Sequence, residues 1–157
     1  NASVGEVGLD YALRECDKSD QITLLHDQFL IAKEFARPLS VHCIKAWGDI
    51  VSVIGSVGGF SNGCVFHSYS GSPELIKPLS SYGCSFAFSG SVTYPKSKRV
   101  KNACIAVPMD KLLLESDSPA VPETTARANP SQFRVRLMLL RESCAKQING
   151  QTKICSE

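Results

Sequence analysis

Four short apolar runs, PLSVHC, GCVFH, CSFAFSG and LLLESD, recur along the chain, and the segments between them carry apolar residues three and four apart. This alternation restricts the fold more than any other feature. A strand followed by a helix and then another strand implies a parallel pair, because a parallel neighbour requires a crossover and the crossover is normally helical. From Ser19-Asp20, read as an N-cap, the residues Ile22, Leu25, Phe29, Ala32 and Ala36 mark one face of a helix that ends before Pro38. A second helix is expected over residues 47–57, closed by Gly58-Gly59. A third starts at Ser72-Pro73 and runs through Leu75, Ile76, Leu79 and Tyr82 to Gly83. A basic helix is expected over residues 96–107. The strands are placed at residues 2–6, with Gly8 in a polar loop after them, in PLSVHC ending at His42, in GCVFH ending at His67, at residues 84–89, and in LLLESD. The expected fold is therefore α/β, with five strands in one parallel sheet.

A chain of 157 residues with 43% hydrophobic and 20% charged residues has room for one domain with a real core. No apolar run approaches the roughly 18 residues that a spanning helix needs, so no membrane segment is expected. The chain opens on Asn1 without a charged leader or an apolar stretch behind it, so no signal peptide is read and the start is expected to be cut or processed. The seven cysteines are an odd number and form no CxxC, which argues for reduced thiols in an intracellular protein, cytoplasmic or nuclear. Cys43, Cys64, Cys84 and Cys104 recur about every twenty residues, a hint of repeating units.

The net charge of +2 does not by itself point to nucleic acid. Two local clusters carry more weight: Lys96, Lys98, Arg99 and Lys101, and the looser group Arg127, Arg134, Arg136 and Arg141. Taken alone, each is more often a solvated helix face.

In a parallel α/β sheet the strand ends gather on one edge, so residues distant in sequence meet there. The side chains expected at that edge are Glu6, His42, His67 and Asp117. Imidazole nitrogens and carboxylate oxygens are ordinary ligands of zinc, manganese and magnesium, and a carboxylate can bridge two ions. His26, inside the first helix, has no such company and is read as structural or solvated. Residue types alone would suit a nuclease, a deacetylase or an amidase equally well.

The blocks VGEVGLDY, QFLIAKEFARPLSVHC, VFHSYSGSPE and LLLESDSPAVPE, in this order and spacing, resemble the TatD-related DNase family. That family comprises metal-dependent hydrolases on a (β/α)8 TIM barrel. The resemblance implies a barrel domain over residues 1–130 that corresponds to strands four to eight, N-terminally truncated to about five βα units. Residues 131–157 are expected to form a divergent C-terminal helix or tail. Carried over residue by residue, Glu6 matches the metal-bridging glutamate, and His42 and His67 match the two histidines of the second metal. Asp117 matches the catalytic acid on the first metal, which orients or deprotonates the attacking water. The implied cofactors are divalent ions, Mg2+, Mn2+ or Zn2+, up to two in a complete barrel. The implied substrate is DNA, single-stranded DNA included, and an amide- or ester-cleaving relative is disfavoured by the blocks themselves.

The sequence departs from the family in several places. Family members also carry an HxH pair on their first strand, and these 157 residues contain none. The basic residue that commonly follows the HC of the fifth-strand block is Ile44 here, with Lys45 one place later. Asn129-Pro130 lacks the glutamate of the family's Asn-Glu-Pro, and an amphipathic helix over residues 133–144 would be unlike the family's final helices. A second expectation is accordingly a catalytically inactive, binding-only form without the first metal site.

Overall fold

The computed structural model describes residues 2–94 and 96–115. Asp117, the arginines at 127, 134, 136 and 141, Asn129-Pro130 and the helix expected over residues 133–144 lie outside the described residues. Five strands and four α-helices alternate: β1 (Val4–Asp10), α1 (Lys18–Glu34), β2 (Leu39–Ile44), α2 (Trp47–Ser56), β3 (Cys64–Phe66), α3 (Ile76–Ser81), β4 (Cys84–Phe88), α4 (Lys98–Ala106) and β5 (Leu112–Leu114). The strands form one sheet in chain order, every pair parallel. The α/β expectation of five strands joined by helical crossovers holds.

Local chemistry explains where the elements begin and end. Helix α1 starts one residue earlier than Ser19 because Asp17 is its cap, its carboxylate accepting from the Ser19 and Asp20 amides at 2.7 and 3.4 Å. Helix α2 ends into Gly58 and Gly59, both at positive φ, as the Gly-Gly pair predicts. Helix α3 is shorter than expected, since its first turn, Pro73–Leu75, is a 3₁₀ turn. Gly83 closes that segment at φ +84, where a Cβ would also collide with the Phe60 carbonyl, so only glycine fits.

The core follows the strand period. Val7 and Leu9, Leu39, Val41 and Cys43, Cys64 and Phe66, and Cys84, Phe86 and Phe88 are buried, joined by Leu25, Phe29, Ile50, Ile54, Leu79 and Cys104 from the helices. The strand cysteines of the twenty-residue recurrence are all buried, but only Cys64 and Cys84 are opposite each other in register; the β2 residue level with Cys64 is Leu39, and Cys43 lies further along its strand beside Leu9. Tyr69 stacks edge-on against Trp47, Phe66, Phe86 and Phe88, tying α2 and the loop after β3 to the middle of the sheet.

Strand β1 differs most from expectation. It runs through Gly8 to Asp10 instead of ending at Glu6, and Gly8 is a pairing residue opposite His42. A Cβ on Gly8 would meet the His42 carbonyl, which explains a glycine inside the strand as a point of close backbone approach. Between Val4 and Val7 the register shifts: these residues pair with Leu39 and Val41, so β1 holds one residue more than β2 over this interval. The bulge keeps Val7 buried while leaving Glu6 on the open face of the sheet.

Candidate metal centre

Strand alternation puts Glu6, Gly8 and Asp10 of β1, and Ser40, His42 and Ile44 of β2, on the face opposite the buried residues. His67 follows β3 directly and stays in the ladder through its amide, which donates to the Val41 carbonyl at 3.0 Å. These placements bring one atom each of Glu6, His42 and His67 within 4.8 Å of one another. His42 Nδ1 lies 3.3 Å from Glu6 Oε1 and 3.1 Å from His67 Nε2, and His67 Nε2 also contacts Glu6 Oε1. The two rings stack at 5.4 Å and 28°.

Each histidine shows its other nitrogen to a carboxylate. His42 Nε2 faces Asp10 Oδ2 at 3.6 Å, and His67 Nδ1 faces Glu115 Oε1 at 3.7 Å. Glu115 is itself held by the Ser68 amide, which donates to the same oxygen. A carboxylate behind the outer nitrogen of an imidazole fixes the ring and its tautomer, the usual arrangement behind a metal-bound histidine. A hydrogen bond between two imidazoles would account for one pair of atoms. Three donors aimed at one point, two of them backed by acids, fit a cation. Ligands about 2.0–2.2 Å from a zinc ion stand roughly 3–3.5 Å apart, and the 3.1 and 3.3 Å separations fall in that range.

The centre opens into a cavity of about 680 Å³. On the β1–β2 side its lining includes Asp10, Leu13 and Ile44; on the β3–β4 side it is Ser68, Ser70, Ser89 and Ser91. Lys45 follows Ile44 exposed, at φ +55. Beside the centre, burial pushes the Cys43 thiol up to about 12, against the opposing pull of the Ala46 amide and with a further push from Asp10. The Tyr11 hydroxyl donates to Asp49 Oδ2 at 2.5 Å.

Of the residues singled out from sequence, Glu6, His42 and His67 converge, while Asp117 lies outside the described residues. His26 stands apart on α1, 3.7 Å from Asp27 and partly exposed, as expected of a solvated residue. Asp10 was overlooked, because reading Gly8 as a loop ended the strand too early. Its signal was present in the spacing, since Glu6, Gly8 and Asp10 alternate onto one face. Glu115 was visible in LLLESD, where attention went to Asp117.

Comparisons with known proteins bear on the family and the fold. A family model described as TatD related DNase matches residues 1–156. The chain is 31% identical over 117 residues to an uncharacterized metal-dependent hydrolase, YabD, of Bacillus subtilis, covering 74% of this chain and 46% of that protein. It is 29% identical over 130 residues to YcfH of Escherichia coli, also an uncharacterized metal-dependent hydrolase, covering 83% and 49%. The chain thus spans about half the length of the curated relatives it matches. Among solved structures, the TatD homologue YJJV of Escherichia coli superposes with TM-score 0.75 at 23% identity over 96% of this chain and 61% of that one. A hydrolase of the TatD family from Entamoeba histolytica gives 0.73 at 17%, over 94% and 56%. At these identities the likeness shows the fold, an α/β sheet of TIM-barrel type.

Proposed function

Because the chain belongs to the TatD-related DNase family, we propose that Glu6, His42 and His67 hold a divalent metal ion and serve the hydrolysis of DNA phosphodiester bonds. The observation that supports this most is the convergence of three donor atoms from three successive βα units, with Asp10 and Glu115 behind the two histidines. A bound divalent ion supplies polarisation of a phosphoryl oxygen and a water nucleophile available at neutral pH. Mg2+, Mn2+ and Zn2+ all accept this donor set. The half-exposed Glu6 and the more enclosed His42 and His67 would together hold such an ion. Asp117 is assigned, on the family resemblance, to orient or deprotonate the attacking water.

Cleavage of a single-stranded oligodeoxynucleotide, assayed with each ion, tests the reading. His42→Ala and Asp117→Asn are expected to lose more than the roughly 10–100-fold that removal of an outer partner of a metal ligand costs, with unchanged circular dichroism. Unchanged rates in either variant contradict it. One observation favours a second reading, a form that binds an ion but does not turn over: the described residues bring together one three-donor group. Ion binding without cleavage under all three metals would decide for that form.

A further inference from the structure

The cavity above the candidate centre is electrically lopsided. Glu6 and Asp10 stand on its β1–β2 side, where the apolar Leu13 and Ile44 also line it. The β3–β4 wall is lined by serine hydroxyls, with the Glu115 carboxylate engaged behind it by His67 and the Ser68 amide. Ser68 Oγ donates to Ser89 Oγ at 2.9 Å, and Ser89 Oγ lies 3.3 Å from Ser91 Oγ, so the hydroxyls lead outward from beside His67. Val100, in the first turn of α4, also lines the cavity. That turn carries Lys98, Arg99 and Lys101, and Lys96 precedes it. Among the described residues none of these four pairs with a carboxylate. Arg99 is close enough to the loop after β3 to act on the Tyr69 phenol, opposing the burial that pushes that group up.

From this arrangement we infer that a single nucleic-acid strand enters the site from one side only, its phosphodiester backbone crossing the Ser89–Ser91 wall and continuing over Lys98, Arg99 and Lys101. A polyanion is repelled by the acids of the β1–β2 side and meets unpaired cations on the α4 side, and phosphate contacts of this kind position a strand without reading its sequence. The basic segment 96–101, ambiguous as a sequence feature, thereby becomes the binding track of the site. The inference rests on the phosphodiester reading of the same centre but concerns binding, which can be measured without turnover.

The test is fluorescence anisotropy with a labelled single-stranded 12-residue oligodeoxynucleotide in EDTA, over about 50–200 mM salt. The combined variant Lys98→Ala, Arg99→Ala, Lys101→Ala is expected to bind at least tenfold more weakly at the lowest salt. Its slope of log affinity against log salt should flatten by about 2, three contacts at roughly 0.7 each on a single strand. Arg99→Gln alone, at an exposed position, should flatten it by about one contact and guards against a folding defect in the triple variant. Lys45→Gln, on the opposite side of the cavity, should leave both quantities unchanged. Unchanged affinity and slope in the triple and Arg99→Gln variants, or an equal loss in Lys45→Gln, overturns the track. Cleavage that depends on His42 together with unchanged binding in the triple variant would sink the track and spare the metal reading. Binding that depends on α4 together with cleavage indifferent to His42→Ala would do the reverse.

Discussion

His42 and His67 each divide their two nitrogens between the centre and a carboxylate, the arrangement expected of a metal ligand and not of a merely buried histidine. The pair was legible from sequence because both rings sit at corresponding points of successive strand–helix units. Asp10 was not, since glycine and aspartate are poor strand formers and GLD reads as the start of a loop. Cys43 lies immediately beside His42 yet takes the opposite face, and the consequence is chemical. Its pKa, pushed up to about 12 by burial, stands above the roughly 8.5 of an ordinary thiol. A raised value in the folded state means that the protonated thiol's contribution to stability is complete below about pH 8.5 and is lost as pH rises from there through 12. Alkaline denaturation should accordingly be shallower in Cys43→Ala than in the parent. A thiol reagent at pH 8 should modify exposed Cys16 while sparing Cys43 in the native protein. Rapid native-state labelling of Cys43 would contradict this placement.

At the scale of elements, strand–helix alternation survived from sequence to structure because each helix has an apolar face and a stop signal of its own. The three 3₁₀ turns, Pro73–Leu75, Gly90–Thr93 and Met109–Lys111, escaped notice because three or four residues are too few to show a period. The bulge in β1 was equally hidden: an extra residue is defined by the register with a partner strand, which a sequence does not display. Gly8 is the point where that register and the centre depend on each other, since it lies under the His42 carbonyl and two residues from both Glu6 and Asp10. Gly8→Ala should push β1 from β2, costing about 1–3 kcal/mol of stability by overpacking and weakening metal binding together with it. A variant that melts at the parent temperature with parental metal affinity would show that the close approach is unimportant.

For the whole molecule, the parallel order β1 to β5 explains how residues from position 6 to position 115 come to share one site. A closed barrel of this type has eight strands, and the sheet described here supplies five. The chain spans about half the length of the curated relatives it matches, in keeping with that count. What the sheet contains is one complete three-donor group with its two supporting acids. The central claim is that this group binds a metal ion, and an equilibrium titration with Mn2+ or Zn2+ by calorimetry, on the parent and on His42→Ala/His67→Ala, tests it most directly. The account predicts stoichiometric binding of an ion by the parent and at least a tenfold loss of affinity in the double variant, with folding intact by circular dichroism. Equal affinity in the two proteins would mean that Glu6, His42 and His67 converge without serving as ligands.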